Sequence, residues 1–178
     1  MLWTIVGISL AAELWVRTCG DSNIPFYHLY ILVEYLFLLK IFQILLTHYV
    51  KNSVWKNLNF GFIVIWIFNV LLYQGWHAYP DYIHALEAFI ILVLVLTWFT
   101  KMLKEKVVKN PEKTFEFWMC SGQMLFFSGN FLLFLFSNFL LSADDPVYMA
   151  VWIIHLILNL MLYSIYTIAI IWVKRTIK

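Results

Sequence analysis

Among the side chains able to move a proton or ligate a metal within otherwise apolar stretches of this chain are Glu34, His84, Glu87 and His155. His84 and Glu87 stand three residues apart, so on a helix both project from one face, where together they can hold one ion or one proton. Glu34 and His155 would add a carboxylate and an imidazole from other helices. Imidazole nitrogen with carboxylate oxygen is a ligand set that suits zinc or iron in the core of a helical bundle. The same groups also fit a proton or small-ligand pocket formed by Glu34, Glu87, His155 and Asn159. A third reading makes them uncharged, hydrogen-bonded packing groups that join neighbouring helices.

The elements that must position these groups follow from composition. Of 178 residues, 63% are apolar, 20% aromatic and only 12% charged, against about 25% charged in soluble domains. The lipid bilayer is the natural solvent and first partner of such a chain. A span needs about 20 apolar residues, so residues 1–178 accommodate a single transmembrane helical domain of six spans with short loops. The formal charge is +2, with no basic block interleaved with aromatics, which excludes nucleic acid as a partner.

Apolar runs fall near 2–16, 26–47, 58–74, 82–100, 115–141 and 147–172. Each reads as a helix, because an open strand in lipid would leave its backbone groups unpaired. The breaks, Gly20-Asp21-Ser22-Asn23, Lys51-Asn52-Ser53, Tyr79-Pro80-Asp81, Lys109-Asn110-Pro111 and Asp144-Asp145-Pro146, carry turn and helix-start chemistry. The fold expected is therefore all-α, a polytopic membrane helical bundle. The first run lacks a basic leader and continues into Arg17-Thr18-Cys19, so it reads as a retained span and not as a cleaved signal.

Charge sets the direction. Lys51 and Lys56, then Lys101, Lys104, Lys106, Lys109 and Lys113, then Lys174, Arg175 and Lys178 occupy alternate breaks and the tail. The intervening breaks hold Asp21, Asp81, Asp144 and Asp145, with Arg17 their only base. Basic segments remain cytoplasmic, which places both termini inside and predicts a multi-pass inner (plasma) membrane protein. Cys19 and Cys120 then fall at opposite ends of the spans, too far apart for a disulfide. Trp15, Tyr27, Trp55, Tyr73, Trp76, Tyr79, Tyr82, Trp98, Trp118, Tyr148 and Trp172 cluster near span ends, as headgroup anchors do.

Counting from the outer ends, Glu34 and His155 lie roughly 12 Å deep and Glu87 roughly 8 Å, one shared outer-leaflet layer. His155, Asn159, Tyr163 and Tyr166 recur at intervals that line one helical stripe, expected to face the bundle interior. Ser121-Gly122 and Ser128-Gly129, seven residues apart, predict a face where a neighbouring helix approaches closely. Lys40 is expected to snorkel toward the cytoplasm or to pair with an acid such as Glu116, and Glu13 to pair with Arg17. His28, His48 and His77 read as solvated rim residues.

Tyr30-Ile31-Leu32-Val33-Glu34, Pro111-Glu112-Lys113-Thr114, Ser128-Gly129-Asn130 and His155-Leu156-Ile157-Leu158-Asn159 give the chain a resemblance to a family of small uncharacterised bacterial inner-membrane proteins with six or seven helices. The resemblance implies membrane architecture and transfers no catalytic role. A seventh, leading helix in such proteins would account for the short first span. A signalling role would require a separate membrane or signalling protein as partner. The leading expectation is a non-enzymatic bundle that senses a ligand or proton through an outward-facing pocket. The alternatives are a membrane metalloprotein or metalloenzyme using His84, Glu87, Glu34 and His155, and a small transporter. The absence of mid-span proline counts against transport.

Overall fold

In a computed structural model of the chain, the described residues are 2–19, 22–105, 110–141 and 145–176. Gly20, Asp21, Lys106, Lys109, Asp144 and Lys178 lie outside them, as do the side chains of Cys19, Asp145, Tyr148, Trp172, Lys174 and Arg175. Among the described residues every regular element is helical: α1 (Leu2–Cys19), α2 (Ile24–Leu45), α3 (Asn52–Phe68), α4 (Asp81–Glu105), α5 (Phe115–Leu135), α6 (Ser137–Leu141) and α7 (Asp145–Thr176). Five helical stretches are long and apolar enough to cross a membrane: Ile24–Leu45, Asn52–Tyr73, Asp81–Glu105, Phe115–Leu135 and Met149–Ile171. The helices leave apolar side chains facing outward. Phe60, Leu72, Leu103, Phe139 and Leu160 each keep more than two-thirds of their surface exposed, which suits lipid and not water.

The chain divides into two compact units, Met1–Glu87 and Ala88–Lys178. In the first, α2 is the central element, with His28, Ile31, Glu34, Tyr35, Leu38, Leu39 and Phe42 buried along one side. That spacing of three and four is the apolar face of a helix, here interrupted by one imidazole and one carboxylate. Tyr35 stacks on Phe62 of α3 with ring centroids 3.6 Å apart, and its hydroxyl donates to the Leu58 carbonyl at 3.0 Å. Trp15 of α1 packs on Phe26 of α2 at 6.1 Å. Glu13 and Arg17 form the expected i, i+4 ion pair at 2.8 Å.

α3 opens into a π-helical turn over Asn69–Tyr73, a wider coil than the α-helix. The Asn69 carbonyl accepts from the amides of Gln74 at 2.8 Å and Gly75 at 3.3 Å. Gly75 then reverses the chain with φ +76°, a left-handed conformation that glycine adopts without steric cost. The segment over 74–80 returns to α4, with the Gln74 amide donating to the Tyr79 carbonyl at 3.3 Å and to the Asp81 carboxylate. Residues 81–87 of α4 complete this unit.

In the second unit, α5 packs along α7. A methyl group added at Gly122 would meet Leu162 and Ile165 at 3.2 Å, and one at Gly129 would meet Leu158 at 2.8 Å. The close approach expected from the two Ser-Gly pairs is thus present at both glycines. Thr114 caps α5, its hydroxyl accepting from the Phe117 amide at 3.4 Å, directly after the short 3-10 turn Pro111–Lys113. The apolar run over 115–141 is not one helix. α5 stops at Leu135, and Ser137 donates its hydroxyl to the Phe134 carbonyl at 2.8 Å, a local bond that competes with helix continuation.

Candidate metal centre

α2 carries Glu34 and α4 carries His84 and Glu87, each in the buried side of its helix. The three spacing on α4 places the imidazole and the carboxylate one above the other. Each of the three residues offers one ligand atom, and these atoms all lie within 4.8 Å of one another. Glu87 is 0% exposed, and neither of its carboxylate oxygens has a hydrogen-bond partner among the described residues. Tyr30, one turn before Glu34, hydrogen-bonds its carboxylate.

The returning segment closes over this cluster. The Tyr79 hydroxyl and His84 Nδ1 are hydrogen-bonded at 3.3 Å, the direction of donation depending on the imidazole tautomer. Tyr79 is buried and packs on Tyr27 with ring centroids 5.6 Å apart. Burial, reinforced by Tyr27, Asp81, Glu87 and Glu34, holds its phenol above the usual tyrosine range. The hydroxyl therefore keeps its proton at neutral pH and remains a hydrogen-bonding partner for His84.

Two carboxyl groups held this close away from water remain ionised only with a compensating charge, and are otherwise neutralised by protons. Unit like charges 4 Å apart repel by about 4 kcal/mol even at an effective dielectric near 20. A shared proton can answer one oxygen of Glu87. A cation can engage both. The imidazole adds the nitrogen ligand that distinguishes zinc and iron sites from all-oxygen calcium or magnesium sites.

Of the residues singled out from the sequence, Glu34, His84 and Glu87 come together in the first unit. His155 and Asn159 belong to the second, where His155 Nδ1 lies 2.8 Å from Asn130 Oδ1 and the Asn159 amide 2.8 Å from His155 Nε2. Phe126, Phe134 and Trp152 surround this imidazole, with ring centroids 6.0, 5.8 and 5.7 Å away. Both ring nitrogens of His155 are occupied by amides. On the same stripe Tyr166 accepts from the Gln123 amide at 3.2 Å, whereas Tyr163 is half exposed.

Other expectations require correction. His28 is not a solvated rim residue: it is fully buried, with Nε2 3.1 Å from the Ala78 carbonyl and its ring against Trp76. Position 28 continues the α2 face of Ile31 and Tyr35, and the 74–80 segment covers it. Trp55, Tyr79 and Trp98 are buried and so pack mainly against the protein. The Lys40 expectation is unaffected: its ammonium donates to Gln43 Oε1 at 3.1 Å, its neighbour on the next turn. Tyr79 is the site residue that sequence reasoning placed wrongly, since its contact with His84 depends on how the 74–80 segment turns. Comparison of the chain with protein-family models, with curated proteins and with solved structures gives no match.

Proposed function

We propose that this chain is a multi-pass inner-membrane metalloprotein that binds one zinc or iron ion between α2 and α4 through Glu34, His84 and Glu87. The observation that carries this reading is Glu87, wholly buried, with both oxygens unpartnered among the described residues and within 4.8 Å of a ligand atom of a second carboxylate and of an imidazole. Three protein ligands leave a position open to water or a small ligand, as in exchangeable and catalytic sites and unlike closed structural ones. A site of this kind can sense a ligand through the open position or activate it. The Asn130–His155–Asn159 group is read as interhelical bonding and not as a fourth ligand.

The supporting frame is six spans, with α1 added to the five long apolar helices and both termini cytoplasmic. The uneven distribution of lysine between alternate breaks supports that direction. Reporter fusions at Lys104 and Asp145 should report opposite compartments; the same compartment for both would refute the topology.

Elemental analysis of the purified full chain, after loading with zinc(II) or iron(II) and removal of excess metal, tests the centre. Stoichiometric metal is expected in wild type and none in His84→Ala or Glu87→Gln. A wild type that retains no metal from either ion would leave the cluster as a proton site. In that case Glu34→Gln and Glu87→Gln should change the pH dependence of thermal stability.

A further inference from the structure

The opposite end of α2 carries a second feature, which the metal reading does not use. A groove of about 290 Å³ opens between the last turns of α2 and the first turns of α3, lined by Lys40, Gln43, Asn52, Trp55, Lys56 and Asn59 among others. Among the described residues no carboxylate lines it. Lys40 spends one hydrogen bond on Gln43 at 3.1 Å, and the Gln43 amide reaches Asn52 Oδ1 at 3.5 Å. These contacts turn both long polar side chains along one wall. Lys56 supplies the second ammonium from α3.

The start of α3 adds to the same sign. Lys51 occupies its N-cap position without a side-chain cap, and no acidic residue stands in its first turn. The positive end of the helix dipole is therefore uncompensated beside Asn52. Lys40 lies five residues before the end of α2, about 7–8 Å inward along the axis. An ammonium there gains most from an anion held at headgroup level, where its aliphatic stem can reach. The amides of Asn52 and Asn59 supply neutral donors, and the buried indole of Trp55 forms an apolar wall.

We infer that this groove is a binding site for a phosphate group, supplied by the headgroup of an anionic phospholipid on the lysine-rich side of the membrane. The lipid source rests on the membrane reading above; the phosphate chemistry does not. Two lysines, amide donors and an indole wall match a phosphodiester joined to an acyl-bearing glycerol better than a bare metal or a carboxylate-rich peptide.

The test is native mass spectrometry and thermal stability of the detergent-solubilised full chain with three probes: phosphatidylglycerol, phosphatidylcholine and inorganic phosphate. Wild type should bind one phosphatidylglycerol in preference to phosphatidylcholine. Affinity should fall about 5-fold for Lys40→Gln or Lys56→Gln and about 30-fold for the pair, given roughly 1 kcal/mol per basic residue at an anionic surface. Lys40→Arg with Lys56→Arg should retain binding. Lys104→Gln with Lys113→Gln, an equal charge loss outside the groove, should leave it unchanged. Binding of inorganic phosphate that the groove pair abolishes, without preference for phosphatidylglycerol, would support the phosphate site and overturn the lipid source. Equal phosphatidylglycerol binding by wild type and the Lys40/Lys56 pair, or equal losses from both pairs, would overturn the site. Lys56→Gln, on the exposed side of α3, keeps the test available if the pair does not fold. Metal content of each variant monitors the Glu34–His84–Glu87 cluster separately, so failure here is distinguishable from failure of that centre.

Discussion

The Tyr79 hydroxyl lies 3.3 Å from Nδ1 of His84, and this contact ties the segment that follows the π-helical turn to the carboxylate pair presented by α2 and α4. An imidazole ligated through one nitrogen is oriented by whatever its other nitrogen bonds. Tyr79 supplies that partner and, being buried, also shields the cluster. The Glu34–His84–Glu87 cluster is thus a property of two helices and one returning segment.

Replacing Tyr79 with Phe should retain the fold and the stoichiometry at saturating metal while lowering affinity by about 10–100-fold, the usual effect of losing a partner of a ligating histidine. Competition with a chelator of known affinity measures this. Unchanged affinity would assign Tyr79 to packing alone.

The same phenol predicts an alkaline weakness. Its proton is held above the ordinary range by burial, so the folded state keeps that proton at a pH where the unfolded chain, near pKa 10, releases it. The stabilisation is complete below about pH 10 and is lost as pH rises through the folded value. Unfolding free energy measured from pH 9 to 11.5 should fall less steeply in Tyr79→Phe, by at most about 1.4 kcal/mol per pH unit for one proton. Identical slopes would place Tyr79 in contact with water.

In the second unit, Asn130 and His155 should show measurable coupling. Their 2.8 Å bond joins α5 to α7 next to Gly129, where Leu158 leaves no room for a Cβ. A double-mutant cycle with Asn130→Ala and His155→Ala should yield about 0.6 kcal/mol and no more than about 1.7, the range for hydrogen bonds between membrane helices. A coupling near zero would leave the aromatic cage of Phe126, Phe134 and Trp152 as the source of the cohesion.

Much of the architecture is legible along the chain because the length of an apolar run and the residues that break it are local properties. Runs of about 20 apolar residues bounded by Asn, Asp, Pro and Lys must be helices, and the five long ones are found at the expected places. Their ends shift where local chemistry intervenes, as when Ser137 takes the Phe134 carbonyl or α3 begins at Asn52, six residues before the apolar run. Glu34, His84 and Glu87 are visible as candidates because a carboxylate or imidazole in such a run is costly. Small-residue pairs at helical spacing likewise mark the α5 face that α7 approaches.

Which of these polar groups meet is another matter. Depth and helical phase restrict a side chain to a layer and a face, yet they do not say which helix that face turns toward. His155 matches Glu34 in depth counted from the sequence, but its two nitrogens are taken by Asn130 and Asn159. Glu34 instead meets His84 and Glu87. His28 and Tyr79 have rim positions and buried side chains because Gly75 turns the chain back over them. The one-dimensional sequence determines helices, breaks and the cost of each buried charge, since these depend on neighbours within a few residues. Partnership across helices depends on rotation, packing and the course of a seven-residue return, and only the tertiary structure decides it.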